Sequence, residues 1–404
     1  MNKKLVQREY YLDWLKSWCE KQMIKVVAGV RRCGKSTLFE LYIDWLLENG
    51  VTAEQIISIN LEELENERLL DYHELHEYVK VRLCKDKYTY VFIDEVQKCK
   101  DFERAVDSLF IKDNVDVYIT GSNAYLLSGE LATLLSGRYV QISMLPLSFA
   151  EYVKFKDIER NDLSKAFDEY IRYGSFPAVA TFEEENLVNS YLDGVYDSVI
   201  MKDVATRLGI VDVSMLEAIS KFLFFNIGSP VSVKKIVDTI NSTGRKTSFT
   251  VVDRYLKALC DSYLFYKVDR YDIRGRHYLR TQGKYYAVDS GLRRRMISSS
   301  TPNLGHILEN IVYLELLRRG ERVSIGKIEE KEVDFIAENF NGLEYYQVAA
   351  SVLDENTLKR ELASLEKISD NYPKILLTLD VVMKNANYGG IQQYNVIDWL
   401  LGEV

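Results

Sequence analysis

Between residues 29 and 37 the chain reads Gly29-Val30-Arg31-Arg32-Cys33-Gly34-Lys35-Ser36-Thr37. An apolar run, Met23–Ala28, precedes this stretch, and apolar residues at helical spacing follow it. The order of strand, GxxxxGKS loop and helix is typical of a loop that wraps phosphate groups with its backbone N–H groups. In such a loop Lys35 reaches the β- and γ-phosphates, and the Ser36 hydroxyl ligates Mg²⁺. The sequence therefore predicts an ATP and Mg²⁺ site at residues 29–37.

A second apolar run ends in two carboxylates. Tyr88–Ile93 is rich in aromatic and β-branched residues, as in a strand buried on both faces, and Asp94 and Glu95 follow it directly. The carboxyl end of such a strand faces the ligand crevice of a parallel sheet. We expect Asp94 to hold Mg²⁺, mostly through water, and Glu95 to polarise the water that attacks the γ-phosphate. The pair predicts hydrolysis of ATP to ADP.

A third predicted strand, Asp116–Thr120, ends in Gly121-Ser122-Asn123. A polar side chain there can contact the γ-phosphate or the attacking water. Ser122 and Asn123 are both candidates, and either could instead cap the next helix. Gln55–Leu61 and Tyr139–Ser143 are the remaining two strands, so the sequence predicts a five-stranded α/β sheet with intervening helices.

Composition excludes several other classes of protein. The five cysteines are scattered without a CxxC pair and the four histidines are not clustered, which argues against a zinc site or a disulfide framework. No run approaches the roughly 20 apolar residues that span a bilayer, so we expect a cytoplasmic protein without a membrane partner. Cys33 precedes a helix N-terminus, which tends to lower a thiol pKa. We therefore expect Cys33 to be reactive and to be protected by bound ATP.

The first 155 residues resemble the ATPase domain of the AAA+ superfamily, and specifically a prokaryotic group of ATP-binding proteins. The motifs that carry this resemblance are Gly29–Ser36, Asp94–Gln97, Thr120–Ala124, Ser136–Arg138 and Leu145–Glu151. In AAA+ proteins an arginine of a neighbouring subunit often reaches the γ-phosphate. The resemblance thus implies a catalytic role for Arg138 in a homo-oligomer, with a surface ion pair as the alternative.

The charge of the chain is uneven. The net charge is −8, whereas residues 205–295 contain 17 Lys and Arg against 8 Asp and Glu, or +9, which leaves −17 for the rest. A basic segment in an acidic chain indicates an anionic partner such as DNA; the alternative is chance clustering on a solvated surface.

The basic segment has the element order of a winged helix, after a helical connector at residues 156–204. Helices are predicted at Val213–Phe225, at Ser232–Asn241 and from Ser248 through Leu259, and strands at Phe265–Val268 and Lys284–Val288. Arginines on the wing suit phosphate contacts; they are Arg270, Arg274, Arg276 and Arg280. Winged helices also serve as packing or protein-contact modules, so a protein partner is the alternative.

Residues 296–404 resemble the restriction-endonuclease-like α/β fold in the order of their elements. That resemblance implies a Mg²⁺ site at Glu309, Asp334 and Gln347. Ala349 stands where the catalytic lysine of the fold is expected. Lys359, on the next predicted helix, could substitute for that lysine from a different backbone position. We therefore expect a weak metal site and little or no nuclease activity.

Together these patterns predict an ATPase whose cycle moves a winged helix and a nuclease-like domain. The alternatives are a nucleotide-gated switch or scaffold that does not hydrolyse ATP, and an ATP-regulated DNA nuclease.

Overall fold

The computed structural model describes residues 5–124, 135, 137–206, 209, 212–297, 303–383 and 385–404. Of the residues singled out above, Ser136 and the side chain of Arg280 lie outside the described part. The chain divides into two compact units. The first comprises Met1–Met144 with Asp261–Tyr263, and the second comprises Leu145–Cys260 with Leu264–Val404. These units divide the chain differently from the ranges predicted from sequence.

The first unit alternates strands and helices. Its strands are β1 (Ile24–Ala28), β2 (Ile56–Asn60), β3 (Thr89–Asp94), β4 (Val115–Gly121) and β5 (Tyr139–Ser143). Its helices are α1 (Glu9–Ser17), α2 (Lys35–Glu48), α3 (Tyr72–Lys80) and α4 (Phe102–Phe110). All five strands predicted from the sequence are confirmed, and no strand end differs from the prediction by more than one residue.

The strands of the first unit form a parallel sheet in the order β2-β3-β4-β1-β5. Every residue of β1 and of β3 is buried, because helices cover both faces of a parallel sheet. The carboxyl ends of β1, β3 and β4 are neighbours, and the Gly29 N–H donates to the Gly121 carbonyl oxygen at 3.2 Å. The predicted phosphate loop and the two polar strand ends therefore lie at one edge of the sheet.

The second unit begins with helices. These are α5 (Phe149–Lys156), α6 (Leu163–Tyr173), α7 (Glu185–Ser198), α8 (Val213–Phe225), α9 (Val233–Ser242), α10 (Phe249–Asp261), α11 (Ser290–Met296) and α12 (Leu304–Arg318). The last residue of α10, Asp261, belongs to the first unit. Ser232 caps α9, where its hydroxyl accepts a hydrogen bond from the Lys235 N–H at 3.1 Å, as predicted.

The described strands of the second unit form one nine-stranded sheet. They are β6 (Pro230–Val231), β7 (Phe265–Asp272), β8 (His277–Ala287), β9 (Arg322–Ile328), β10 (Lys331–Asn339), β11 (Gly342–Val348), β12 (Lys374–Thr378), β13 (Asn387–Tyr388) and β14 (Ile391–Asn395). Helix α13 (Glu355–Leu365) connects β11 to β12, and α14 (Val396–Leu400) follows β14. The strand order is β13-β14-β12-β11-β10-β9-β7-β8-β6.

This sheet differs from the prediction of a self-contained winged helix. The hairpin of β7 and β8 is longer than predicted, and β7 pairs in parallel with β9 through residues Arg270–Asp272. The hairpin is therefore part of the C-terminal sheet, and the predicted boundary at 295/296 falls inside one hydrogen-bonded structure. The sequence analysis also missed β14, which pairs in parallel with β12.

No helix in the described part of the chain combines the length and the hydrophobicity needed to cross a bilayer.

Candidate functional site

The loop between β1 and α2 has the backbone geometry of a phosphate cradle. Gly34 adopts φ 106°, a left-handed conformation that glycine tolerates best, and α2 begins at the next residue. A Cβ atom at Gly29 would lie 2.2 Å from the Met144 carbonyl oxygen, so a larger residue cannot be placed there. The loop thus presents backbone and a helix N-terminus to the same space, the arrangement that suits an anion.

Lys35 is buried at the base of this loop. Its Nζ donates to the carbonyl oxygens of Gly29 at 3.1 Å and Val30 at 3.3 Å. The same Nζ lies 3.6 Å from Oε1 of Glu95. The ammonium group is thus held by polar groups that a phosphate oxygen would replace.

Ser36 and Asp94 meet across the loop. The Ser36 hydroxyl donates to Oδ2 of Asp94 at 2.5 Å, and the Thr120 hydroxyl donates to Oδ1 of the same carboxylate. Burial raises the pKa of Asp94 above its usual value, so a cation beside this carboxylate would be stabilising. A hydroxyl and a carboxylate oxygen are the donors that Mg²⁺ prefers, and the residues present fit that ion.

Glu95 is held in a fixed conformation. Its backbone has φ 54°, and its N–H donates to the Thr120 hydroxyl at 3.0 Å. Oε2 of Glu95 accepts hydrogen bonds from the Ser122 hydroxyl at 3.1 Å and from the Gln97 amide. The Gln97 amide also lies 3.2 Å from Oγ of Ser122. Three side chains from the ends of β3 and β4 therefore form one hydrogen-bonded group.

Sequence reasoning left Ser122 and Asn123 as equal candidates and did not consider Gln97. In the structure Ser122 is the one that contacts Glu95, while Asn123 is buried beside it. Gln97 lies two residues after Glu95 at a strand end, and this position was the signal in the sequence that its side chain could contact Glu95.

The remaining loop residues have different surroundings. Arg31 pairs with Glu62, with 2.9 Å between Nη1 and Oε1. Arg32 is exposed with φ 66°, and Thr37 is half-buried in the first turn of α2. The structure describes no ion pair of Arg32.

Cys33 contradicts the expectation of a reactive thiol. It is 0 % exposed, and burial raises the pKa of its thiol above the usual value. The helix N-terminus does not compensate for this loss of solvation. The Cys33 carbonyl oxygen accepts a hydrogen bond from Nη1 of buried Arg8 at 2.9 Å. The N-terminal segment therefore contacts the loop through this hydrogen bond, a contact that the sequence did not indicate.

Arg138 forms an ion pair with Asp107 of α4, and its guanidinium lies 5.8 Å from the centre of the Phe110 ring. Both charged groups are partly exposed. This is the alternative that the sequence analysis named, and a role for Arg138 at a neighbouring subunit's nucleotide stays a prediction.

The chain matches two protein families and, over most of its length, two relatives. Residues 21–153 match the AAA domain family, and residues 164–303 match a family described as a domain of unknown function. An uncharacterized protein of Haemophilus influenzae is 41% identical over 404 residues, covering 99% of this chain and 100% of that protein. An uncharacterized protein of Methanocaldococcus jannaschii is 32% identical over 390 residues, covering 93% and 85%. The chain belongs to the same family as these two proteins.

A solved structure agrees on the fold. The Walker-type ATPase of Pyrococcus abyssi superposes with a TM-score of 0.51 at 13% identity, covering 72% of this chain and 96% of that one. Identity at this level speaks to the fold alone. The N-terminal part of the chain is therefore an AAA-type ATPase domain with a P-loop fold.

The hairpin arginines of the second unit are engaged differently from the prediction. Arg270 lies 3.6 Å from Glu332 of β10, and Arg274 lies 2.8 Å from Glu329, which precedes β10. Only Arg276, in the turn between β7 and β8, is exposed without a described ion pair. The hairpin thus directs two of its arginines to the C-terminal sheet.

The predicted C-terminal metal ligands lie near one another but are already partnered. Oδ2 of Asp334 accepts from the Val348 N–H at 2.8 Å. Oε1 of Gln347 accepts from the Ser364 hydroxyl at 3.2 Å, and its amide donates to Glu361 at 2.9 Å. In the described part of the chain no group of three or more His, Cys, Asp and Glu is arranged to hold a metal ion. Asp334 and Gln347 therefore already have hydrogen-bond partners within the protein.

A lysine that the sequence analysis missed enters this cluster. Nζ of Lys284, on β8, lies 3.3 Å from Oε2 of Glu309 and 2.8 Å from Oε1 of Glu332. Burial lowers the pKa of Lys284, but the carboxylates of Glu309, Asp334 and Glu332 outweigh it and raise the pKa above the usual value. Lys284 is therefore a fully charged buried cation.

The two lysine positions considered from sequence are both unsuitable. Ala349 is 8 % exposed and packs in an apolar cluster with Leu362 and Leu365 of α13. Lys359 is exposed and pairs with Glu355 of its own helix at 2.7 Å. The position of Lys359 therefore does not support it as a substitute for the catalytic lysine.

Proposed function

We propose that the chain is a Mg²⁺-dependent ATPase that hydrolyses ATP to ADP and phosphate at the carboxyl edge of the first sheet. The observation that carries the proposal is the convergence of two pairs of residues at this edge. Lys35 and Ser36 begin α2, whereas Asp94 and Glu95 end β3, and each residue of one pair contacts a residue of the other. This arrangement brings phosphate-binding, metal-binding and water-polarising groups within one site.

Binding replaces contacts that exist in the absence of nucleotide. The N–H groups of the loop and the N-terminus of α2 surround the phosphates. Lys35 exchanges the carbonyl oxygens of Gly29 and Val30 for the β- and γ-phosphate oxygens. Ser36 and Asp94 would hold Mg²⁺, which would supply positive charge against the phosphates.

Hydrolysis follows from the position of Glu95. When Lys35 turns to the phosphates, Oε1 of Glu95 loses its cationic neighbour and becomes available to accept a proton from water. The water oxygen bonds to the γ-phosphorus as the bond to the β–γ bridging oxygen breaks, and ADP carries that oxygen away. The Ser122 hydroxyl donates a hydrogen bond to the other oxygen of Glu95. Through this hydrogen bond, contact of Ser122 with the γ-phosphate would change the position of the base.

A homo-oligomer would complete the site if Arg138 acts at a neighbouring subunit. For that, Arg138 must leave Asp107, which is feasible because the pair is partly exposed and such surface pairs contribute little, about 0 to 1 kcal/mol.

The test of the proposal is Glu95→Gln in the full chain, measured by phosphate release and by calorimetric titration of ATP. We expect turnover to fall by about 10²-fold or more, the usual contribution of a general base, with ATP affinity preserved. Lys35→Ala is the matched variant, because it should weaken binding itself. If the wild type binds ATP but releases phosphate no faster than Glu95→Gln, the chain is a nucleotide-gated switch instead.

We also propose that the second unit contacts DNA through α9 and α10, because their exposed faces are basic. The exposed basic side chains on and between these helices are Lys234, Lys235, Arg245, Lys246, Arg254 and Lys257. Within the described residues none of them forms an ion pair. Phosphate contacts by such residues make affinity fall steeply with salt.

Arg254→Glu/Lys257→Glu tests this proposal, with binding to a duplex measured by fluorescence anisotropy at several salt concentrations. We expect weaker binding to all sequences and a shallower salt dependence, with Arg274→Glu on the ion-paired hairpin as control. If the wild type shows no duplex binding at low salt, a protein partner for this basic face is the better proposal.

The ranges 205–295 and 296–404 remain proposals for a winged helix and a restriction-endonuclease-like domain. The ATPase cycle would then move a joined body, since β7 of the first range pairs with β9 of the second.

A further inference from the structure

The acidic cluster of the second unit is defined as the carboxylates of Glu309, Glu332 and Asp334. Glu309 belongs to α12, and the other two belong to β10. Glu309 and Asp334 are nearly inaccessible to solvent, while Glu332 is partly exposed. Buried carboxylates need a cation nearby, because an unpaired buried charge is strongly destabilising.

The cation in the cluster is a side chain of the protein. Lys284 is 3 % exposed, and its Nζ contacts both Glu309 and Glu332. The Tyr286 hydroxyl, two residues along β8, donates to the same Oε2 of Glu309 at 3.3 Å. Both donors contact Oε2 of Glu309, and a metal ion bound to that oxygen would have to compete with them.

Arg270 adds a second positive charge at the rim, 3.6 Å from Glu332. The cluster thus holds three carboxylates against two cations that are part of the chain. Asp334, the third carboxylate, accepts the Val348 N–H, but burial and the Glu309 carboxylate raise its pKa well above the usual value. The charges are nearly balanced without any added ion.

A divalent cation cannot join this arrangement without displacing Lys284. The ammonium group lies within hydrogen-bond distance of the carboxylates that would be metal ligands, and two like charges in a site of low dielectric repel strongly. Lys284 is 3 % exposed, so its ammonium group would have to leave a buried position to make room for the ion.

We propose that Lys284 is a built-in cation that takes the place of a divalent metal in the acidic cluster, so that the second unit binds neither Mg²⁺ nor Mn²⁺ and does not cleave phosphodiesters. In this arrangement the cluster joins β8 to α12 and β10 by charge. The proposal does not depend on ATP hydrolysis by the first unit.

The experiment measures Mn²⁺ binding by the full chain without nucleotide, by electron paramagnetic resonance of free Mn²⁺. Asp94→Asn serves as the background, because it removes the carboxylate of the ATP site. We expect no bound Mn²⁺ in this background. Adding Lys284→Met, which keeps an unbranched side chain one atom shorter and without the charge, should create one Mn²⁺ site per chain. Affinity should rise at least tenfold, and Asp334→Asn should abolish the gain.

Lys267→Met is the matched control, since Lys267 lies on the neighbouring strand β7 and is half-exposed beside Asp269. It should leave Mn²⁺ binding unchanged. If Lys284→Met does not fold, Lys284→Met/Glu332→Gln replaces it, because that pair removes one charge of each sign.

Three results would overturn the proposal. One is Mn²⁺ binding in the Asp94→Asn background that Asp334→Asn abolishes, since Lys284 would then coexist with a metal. The second is a folded Lys284→Met protein that gains no Mn²⁺. The third is cleavage of plasmid DNA by the wild type with Mn²⁺, lost in Lys284→Met, which would assign Lys284 to catalysis instead.

Discussion

Lys35 and Glu95 form a buried ion pair, with 3.6 Å between Nζ and Oε1. The group expected to bind phosphate and the group expected to polarise water thus neutralise each other in the absence of nucleotide. We expect ATP to separate them, because the phosphates are the stronger partner for the lysine. Nucleotide binding and activation of the base would then be parts of one exchange of partners.

Lys35→Ala should lower ATP affinity by roughly tenfold or more, because charged hydrogen bonds to phosphate are the strongest polar contacts in such a site. Isothermal titration calorimetry measures this, with Lys80→Ala, an exposed lysine paired to Glu77 on α3, as control. Equal ATP affinity in the two variants would remove the basis for the assigned site.

Gln97→Ala should lower kcat by about tenfold while ATP affinity stays the same. The amide fixes one oxygen of Glu95 and contacts Ser122, so its loss leaves the base less well oriented without touching the phosphate loop. Steady-state phosphate release and calorimetry separate the two effects. Lys98→Ala, at the next and exposed position, should change neither, and a parallel loss of affinity in Gln97→Ala would point to a structural role.

Cys33 should be modified by maleimide at least about tenfold more slowly than half-exposed Cys84, because access requires local opening. Burial raises the pKa of the Cys33 thiol, which lowers its thiolate fraction further. Mass spectrometry of tryptic peptides after timed labelling measures both rates. Rapid labelling of Cys33 that ATP suppresses would restore the original expectation of a reactive thiol.

Ala349→Lys should destabilise the second unit by about 3 kcal/mol, because it places a charge in an apolar cluster. It should not confer nuclease activity, since the new side chain lies under α13. Urea denaturation with Ala350→Lys, one residue on and partly exposed, gives the comparison. A stable Ala349→Lys protein that cuts plasmid DNA would show that the site tolerates the lysine its fold is expected to have.

The first sheet and its site were accessible from sequence because both depend on local patterns. Tyr88–Ile93 is apolar throughout, as a strand covered on both faces must be, and the loop before α2 is a continuous motif. Ser36 and Asp94 meet because parallel strands and their following loops share one edge of a sheet. No tertiary detail beyond that rule was needed to bring them together.

The second unit was less accessible because its decisive contacts join distant segments. Lys284 stands next to an apolar run, Tyr285–Val288, which gave a local hint of a buried charge. That it contacts Glu309 and Glu332 depends on a sheet in which β7 pairs with β8 along its length and with β9 through Arg270–Asp272. The burial of Ala349 by α13 is likewise a packing fact that strand periodicity does not contain.

The pairing of β7 with β9 determines where the protein can be cut for separate expression. A fragment starting at residue 296 would present β9 as an open edge strand prone to association with other chains. It would also keep Glu309 and Glu332 while losing Lys284 and Arg270, leaving carboxylates in an interior with nothing to balance them. A fragment starting at Leu145 retains both the strand and the cations. We expect the longer piece to be monomeric and folded, and the shorter one to aggregate.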